Sequence, residues 1–413
     1  MNPNIFKKIL LVFFCWQVAF SLISLGADSF LQYKPSFPYT DIFFADSTLP
    51  RWLYSRANFD GIHYLTIVKN GFLGGNQVLG LLQAFFPFYP ITIKLTSLIV
   101  QNDILSGLLI SNLTFLGLLL MFYLLVSTVR NKKTAWLSLL VLLTFPTSFF
   151  WGSLYGESLF LLLAVSSFYF ASQRHWLLSG LLAMMASATR VVGIFLVPAL
   201  FVEFLIIELP TTSDRLNSYL HKIGLVLYAG NNTTKLKQVT KKLNIILDFF
   251  CILLGTLGLI FYMIYLDLKF KDPLFFYHVQ SEFGAGRQEQ LVFYPQVVWR
   301  YVKILSTVPF NLRYFSFVQE MLAGTLSFVI IFWGFCKKVP ISWLLFSLGS
   351  LLLPTLTGTF SSMPRYILVA FPLFILIADY LENSKKAQIL WFTISTVLLG
   401  FNTILFIQGY WIA

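Results

Sequence analysis

Between residues 28 and 64 the chain sets Asp28, Asp41, Asp46 and Asp60 beside Trp52, Tyr54, Phe59, His63 and Tyr64. A carboxylate walled by aromatic rings just above a membrane is partly desolvated and can act as a general base on a hydroxyl group. An aspartate in such a segment can equally serve as a helix cap. Glu157, in WGSLYGESLFLLL, opens an apolar stretch. A carboxylate there is costly and often functional, although an acid in a first helical turn also complements the macrodipole. Arg190, in SATRVVGIF, and Arg365, in SSMPRYILVAFP, stand at the edges of apolar stretches. A guanidinium so placed can hold a lipid phosphate bidentately or snorkel to head groups without a specific ligand.

A second polar group lies in KDPLFFYHVQSEFGAGR, which contains Asp272, His278, Gln280, Glu282 and Arg287. His278 and Glu282 have the i, i+4 spacing of metal ligands but no third ligand, so a metal is unsupported. The aromatic density reads as an interfacial belt, and no nucleic-acid partner is expected. The chain has no glycine-rich phosphate loop, no Walker motif and no GxSxG. An activated substrate would therefore arrive through the membrane rather than as a soluble nucleotide.

The elements that must position these residues are membrane helices. Of 413 residues 57% are hydrophobic and only 11% charged, with a mean hydropathy of +0.77. A soluble chain carries about twice that charge. Apolar runs near 8–27, 104–127, 134–151, 155–172, 175–190, 191–209, 245–266, 319–336, 341–361, 364–381 and 388–408 predict eleven spans in one integral-membrane domain covering 1–413. The first, preceded by Lys7 and Lys8, is expected to be a retained helix rather than a signal peptide. The surplus of 29 Lys and Arg over 17 Asp and Glu sits in short clusters between these runs. If the N-terminal lysines are cytoplasmic, alternation places 130–133, Arg174, the basic segment 210–244, 337–338 and 385–386 on the same side, as the positive-inside rule requires. The two sequons within Asn231–Thr234 would then face the cytoplasm.

This alternation holds only if 79–100, which carries two prolines and Lys94, is re-entrant or interfacial. The outer side then receives a first loop, 28–103, with interfacial helices, and a second loop, 267–318. Cys15, Cys251 and Cys336 form no disulfide framework and no zinc pattern. A transporter or lipid flippase would also use many spans, but it predicts charges near mid-span, whereas most charges here lie at the rim.

Taken in order, FDGIHYLTIVKNGF at 59–72, QAFFPFYP at 83–90, FPTSFFWGSLYGESLF at 145–160, SGLLAMMASATRVVGI at 179–194, DPLFFYHVQ at 272–280, SMPRYILVAFPLF at 362–374 and the terminal GYWIA resemble the PIG-V family of mannosyltransferases, within the GT-C superfamily. Phe59 replaces the tryptophan of the family's Trp-Asp motif. The resemblance implies an all-α, GT-C-like bundle that moves mannose from a dolichyl- or other polyprenyl-phosphate donor to a lipid-linked or glycan acceptor on the non-cytoplasmic face, with inversion. It implies that Asp60 is the catalytic base and that His63, Arg190, Gln280 and Arg365 bind donor phosphate or substrate. Asp41, Asp46, Glu157 and Asp272 remain as secondary acids. No cofactor is required, since arginines can stand in for a divalent metal. The short chain and simple basic loop look more like a prokaryotic relative, which would reside in the plasma membrane; a eukaryotic one would reside in the endoplasmic reticulum. Another lipid-linked sugar or acceptor within GT-C is the alternative.

Overall fold

The computed structural model describes residues 3–37, 40–44, 47–73, 82–284, except 209–236, and 286–412, with the backbone alone for 41–42 and 237–244. All regular structure among them is helical. Six helices are long and apolar enough to cross a bilayer: α1 (Pro3–Ser29), α4 (Asp103–Val129), α8 (Val191–Glu208), α9 (Ile245–Phe270), α11 (Leu312–Gly334) and α15 (Lys385–Ile407). The remaining helices that frame the site are α2 (Asp60–Asn70), α3 (Phe88–Val100), α5 (Lys132–Thr144), α6 (Glu157–Ser172), α7 (Trp176–Thr189), α10 (Tyr294–Thr307), α12 (Ile341–Thr355), α13 (Met363–Tyr366) and α14 (Pro372–Leu381).

Each of the eleven expected spans falls on one of these helices, but five are shorter or broken. Pro146 ends the 134–151 run, and a 3-10 turn over Ser148–Gly152 follows α5. The 364–381 run bends by 87° where Pro372 starts α14. A proline is well placed in a first turn but cannot continue a preceding helix. The expected re-entrant segment contains α3, whose thirteen residues rise about 20 Å against a hydrocarbon core of roughly 30 Å. Most of the basic segment 210–244, with its sequons, lies outside the described residues.

Local signals start the helices where the sequence marks them. The side chains of Asn102, Asn131, Asn311 and Ser384 accept hydrogen bonds from backbone amides in the first turns of α4, α5, α11 and α15. Such caps satisfy amides that a helix end otherwise leaves open. The core forms where α6 packs between α4 and α7, and α9 covers α7 at very short range. A Cβ built on Gly180 of α7 would meet the Cys251 carbonyl at 1.8 Å, and one on Gly258 of α9 would meet the Met184 carbonyl at 2.1 Å. Close backbone approach at small residues is the usual route to helix association where lipid supplies no hydrophobic drive. Leu11, Phe14, Val18 and Leu22 on α1, and Ile389, Leu390 and Val397 on α15, face outward.

One end of the bundle gathers basic clusters. Arg130 grips Asp379 through Nε and Nη2 at 2.9–3.1 Å and donates to the carbonyls of Lys337 and Lys338, while Lys133 pairs with Glu382. The chain leaves that end on α5, returns on α6 and leaves again on α7. Glu157, at the start of α6, and Arg190, just past α7, therefore lie at the opposite end.

Candidate active site

Asp60 begins α2 behind a strained turn. Phe59 has φ +58°, a region that residues with a Cβ seldom adopt, and such strain persists only where its surroundings hold it. Those surroundings are specific. Asn58 Nδ2 donates to the carbonyls of Phe406 and Ile407 at 2.9 and 3.2 Å. The Tyr155 hydroxyl donates to the Asn58 carbonyl at 2.9 Å and accepts from the Asp60 amide at 3.2 Å. The Leu154 amide donates to the Arg56 carbonyl at 2.9 Å. The bends before α6 and the end of α15 thus fix the direction in which Asp60 points.

Four of the charges singled out in the sequence form one chain. Asp60 Oδ2 accepts from Arg365 Nη1 at 2.5 Å, Arg365 Nε lies 3.5 Å from Glu157 Oε1, and the same Glu157 oxygen accepts from Arg190 Nη1 at 2.6 Å. Arg365 and Glu157 are 6% and 2% exposed, so neither charge is tolerable without the other. Asp60 and Arg190, each 16% exposed, form the solvent-facing ends. Burial alone would raise the Asp60 carboxyl, but the Arg365 guanidinium above all holds it below the usual carboxylate range.

These residues line a cavity of about 240 Å³ whose walls include Phe85, Phe86, Phe276, Phe283 and Trp411. Gln280 lines it too, its amide tied to the Phe276 carbonyl and to Arg287. His63 lies beneath, 1% exposed between Phe37 and Phe85, with ring centroids 5.2 and 5.0 Å away. Burial pushes its imidazole down to about 4, so it is neutral at ordinary pH. Asp272 is elsewhere: it pairs with His278 Nδ1 at 2.7 Å and accepts from the Leu274 amide, the pattern of a local cap. Asp46 lies outside the described residues, and of Asp41 only the backbone is described. Among the described residues no group of three or more His, Cys, Asp or Glu side chains could hold a metal.

Two charged residues were not assigned roles from sequence. Arg287 reaches the cavity from the second loop. Glu320, 2% exposed in α11, accepts from the Tyr301 hydroxyl at 2.5 Å, and that hydroxyl lies 3.2 Å from Thr359 Oγ1 in the turn that leads to Arg365. A lone acid within an apolar run is the signal that marks it. A carboxylate kept ionised can accept a proton, and clustered guanidiniums can stabilise a phosphate that gains charge.

No family model matches the chain, and no curated protein matches it. Two similar solved structures are the Archaeoglobus fulgidus oligosaccharyltransferase tethered to an acceptor peptide containing the NVT sequon, and the archaeal oligosaccharyltransferase from that organism in complex with an inhibitory peptide and a dolichol-phosphate. The first is 11% identical with a TM-score of 0.45 and covers 99% of this chain and 56% of its own. The second is 12% identical with a TM-score of 0.44, covering 98% and 56%. The chain thus spans a little over half the length of the proteins it is similar to.

Proposed function

We propose that the protein is an inverting glycosyltransferase that moves mannose from a polyprenyl-phosphate-mannose donor to a lipid-linked or glycan acceptor on the non-cytoplasmic face of its membrane. The observation that carries this reading is the chain Asp60–Arg365–Glu157–Arg190 along one cavity with aromatic walls. Mannose and the lipid-phosphate donor come from the ordered strings that resemble PIG-V enzymes. The site's position opposite the basic end of the bundle supports the non-cytoplasmic face.

In this mechanism Asp60 takes the proton of an acceptor hydroxyl as that oxygen attacks the anomeric carbon. The bond from carbon to the phosphate oxygen breaks on the opposite side, and polyprenyl phosphate leaves with the electron pair. A single displacement inverts the centre. Arg365 and Arg190 stabilise the charge on the departing phosphate. As the departing phosphate gains charge it competes with Asp60 for Arg365, which makes the carboxylate a stronger base at the moment the proton is taken. His63, neutral and buried on α2, supports the floor of the site, and Gln280 orients the second loop toward it.

The test is transfer of labelled mannose from polyprenyl-phosphate-mannose to extracted lipid and glycan acceptors, with wild-type protein and Asp60→Asn at matched expression. Loss of about 10²- to 10⁴-fold in the variant is expected of a missing general base. Transfer at the wild-type rate by Asp60→Asn removes Asp60 as the base, and no transfer by wild type from any lipid-linked sugar overturns the proposal.

A further inference from the structure

The cavity holds three arginines against two carboxylates, and this imbalance is unevenly distributed. Arg365 is held by Asp60 and Glu157, and Arg190 by Glu157. Arg287 pairs with no carboxylate among the described residues. Its hydrogen-bonding partner is a neutral amide oxygen, Gln280 Oε1, which receives Nη1 at 3.1 Å. A guanidinium has five N–H donors in a fixed fork, so this one contact leaves most of its donor capacity unspent. The guanidinium lies over the Phe283 ring, 5.2 Å from its centroid, and Phe283 in turn rests against Phe85 and the His63 ring. The stack sets the plane of the fork without consuming its edge.

We infer that Arg287 is the ground-state receptor for the phosphate of an anionic phosphate ester, a phosphodiester where the ligand is a glycosyl donor, and that the two paired arginines engage that phosphate only as it gains charge. As applied to a polyprenyl-phosphate donor the inference rests on the proposed function; as a phosphate site it does not. The electrostatic argument is one of competition. A phosphate approaching Arg190 or Arg365 must displace a carboxylate from a desolvated pair, whereas at Arg287 it displaces a neutral amide. Interactions made equally in ground and transition states appear in KM, and those made only in the transition state appear in kcat. Arg287 and Arg365 therefore separate kinetically although they line one cavity.

The experiment measures binding of polyprenyl-phosphate-mannose, the diester, without acceptor to the full chain in nanodiscs, for wild type, Arg287→Gln, Arg287→Lys and Arg365→Gln, with polyprenol lacking phosphate and inorganic phosphate as competitors. Arg287→Gln is expected to weaken polyprenyl-phosphate-mannose binding about tenfold or more, the scale of a charge-assisted bond. Arg287→Lys keeps the charge and is expected to lose less; it also serves where the Gln variant fails to fold. Polyprenol binding is expected to be equal in wild type and Arg287→Gln. Displacement by inorganic phosphate that depends on Arg287 assigns the site to the free ion, and resistance to it assigns the site to the lipid head group; either supports the receptor. Wild-type affinity in folded Arg287→Gln, with loss in Arg365→Gln, overturns it. Arg287-dependent binding without any mannose transfer would sink the proposed function and leave the phosphate site standing.

Discussion

At the residue scale the decisive pair is Asp60 and Arg365. Because the guanidinium holds the Asp60 carboxyl below its usual range, Asp60 as the proposed base stays ionised down to acid pH, and kcat/KM is expected to be lost only below that depressed value. Replacing Arg365 by Gln removes the attraction and leaves burial, which raises a carboxyl. The acid limb of kcat/KM is therefore expected to move to higher pH in Arg365→Gln, with a loss on the order of 10²-fold at the plateau; a pH–rate profile that keeps its acid limb would break the coupling. His63 makes a separate prediction. Its folded-state value of about 4 lies below the ordinary 6.5, so the unfolded chain binds the extra proton between these values. Stability is then complete above 6.5 and falls as pH drops toward 4, by about 3 kcal/mol in all. Thermal midpoints in detergent at pH 7 and 5 are expected to differ less in His63→Gln than in wild type. Asp60, Glu157, Arg190 and Arg365 were legible because each interrupts or borders an apolar string. The cap made by Asp272 was not, because a carboxylate in a polar loop has the same signature whether it faces a cavity or its own backbone.

At the element scale the sequence marks helices by caps and prolines more sharply than by hydropathy. The asparagines before α4, α5 and α11 sit where their side chains cap. The apolar run 134–151, by contrast, conceals a break at Pro146, and 364–381 conceals the 87° bend that turns Arg365 toward the site. Hydropathy averages over such breaks, while φ restriction at proline does not. The small residues of α7 and α9 leave little periodic signal, yet they set one of the tightest backbone contacts among the described residues. Gly180→Ala drives a Cβ into the Cys251 carbonyl, which backbone cannot yield cheaply. A cost of ~1–3 kcal/mol is expected from overpacking of this kind. It is read as a lowered thermal midpoint with kcat little changed in the surviving fraction, since neither glycine lines the charged cavity. An unchanged midpoint would show that α9 can slide away from α7 at no cost.

At the scale of the whole molecule, the charges partition between two ends, and the proposed orientation in the membrane rests on that partition. The basic clusters of 130–133 and 337–338 meet around Arg130 and Asp379. The catalytic candidates meet at the other end, where α6 starts and α7 finishes. This arrangement was largely readable from sequence, because alternation of apolar runs and positive clusters is a property of the entire chain and survives errors in any one helix boundary. It could not reveal that Asp60, Glu157 and Arg365, far apart in the chain, share one run of ion pairs, since pairing across spans has no local signature. The partition yields a direct test. In a chain whose Cys15, Cys251 and Cys336 are replaced by serine, single cysteines are placed at Glu289, in the exposed loop beside the cavity, and at Lys385, exposed at the start of α15. In sealed right-side-out vesicles a membrane-impermeant maleimide is expected to label Glu289→Cys at once and Lys385→Cys only after the membrane is opened. The reverse pattern would turn the bundle over and place the cavity in the cytoplasm. Labelling of both positions without opening would break the two-ended partition itself, because the positive-inside bias orients the bundle only if its basic clusters share one side.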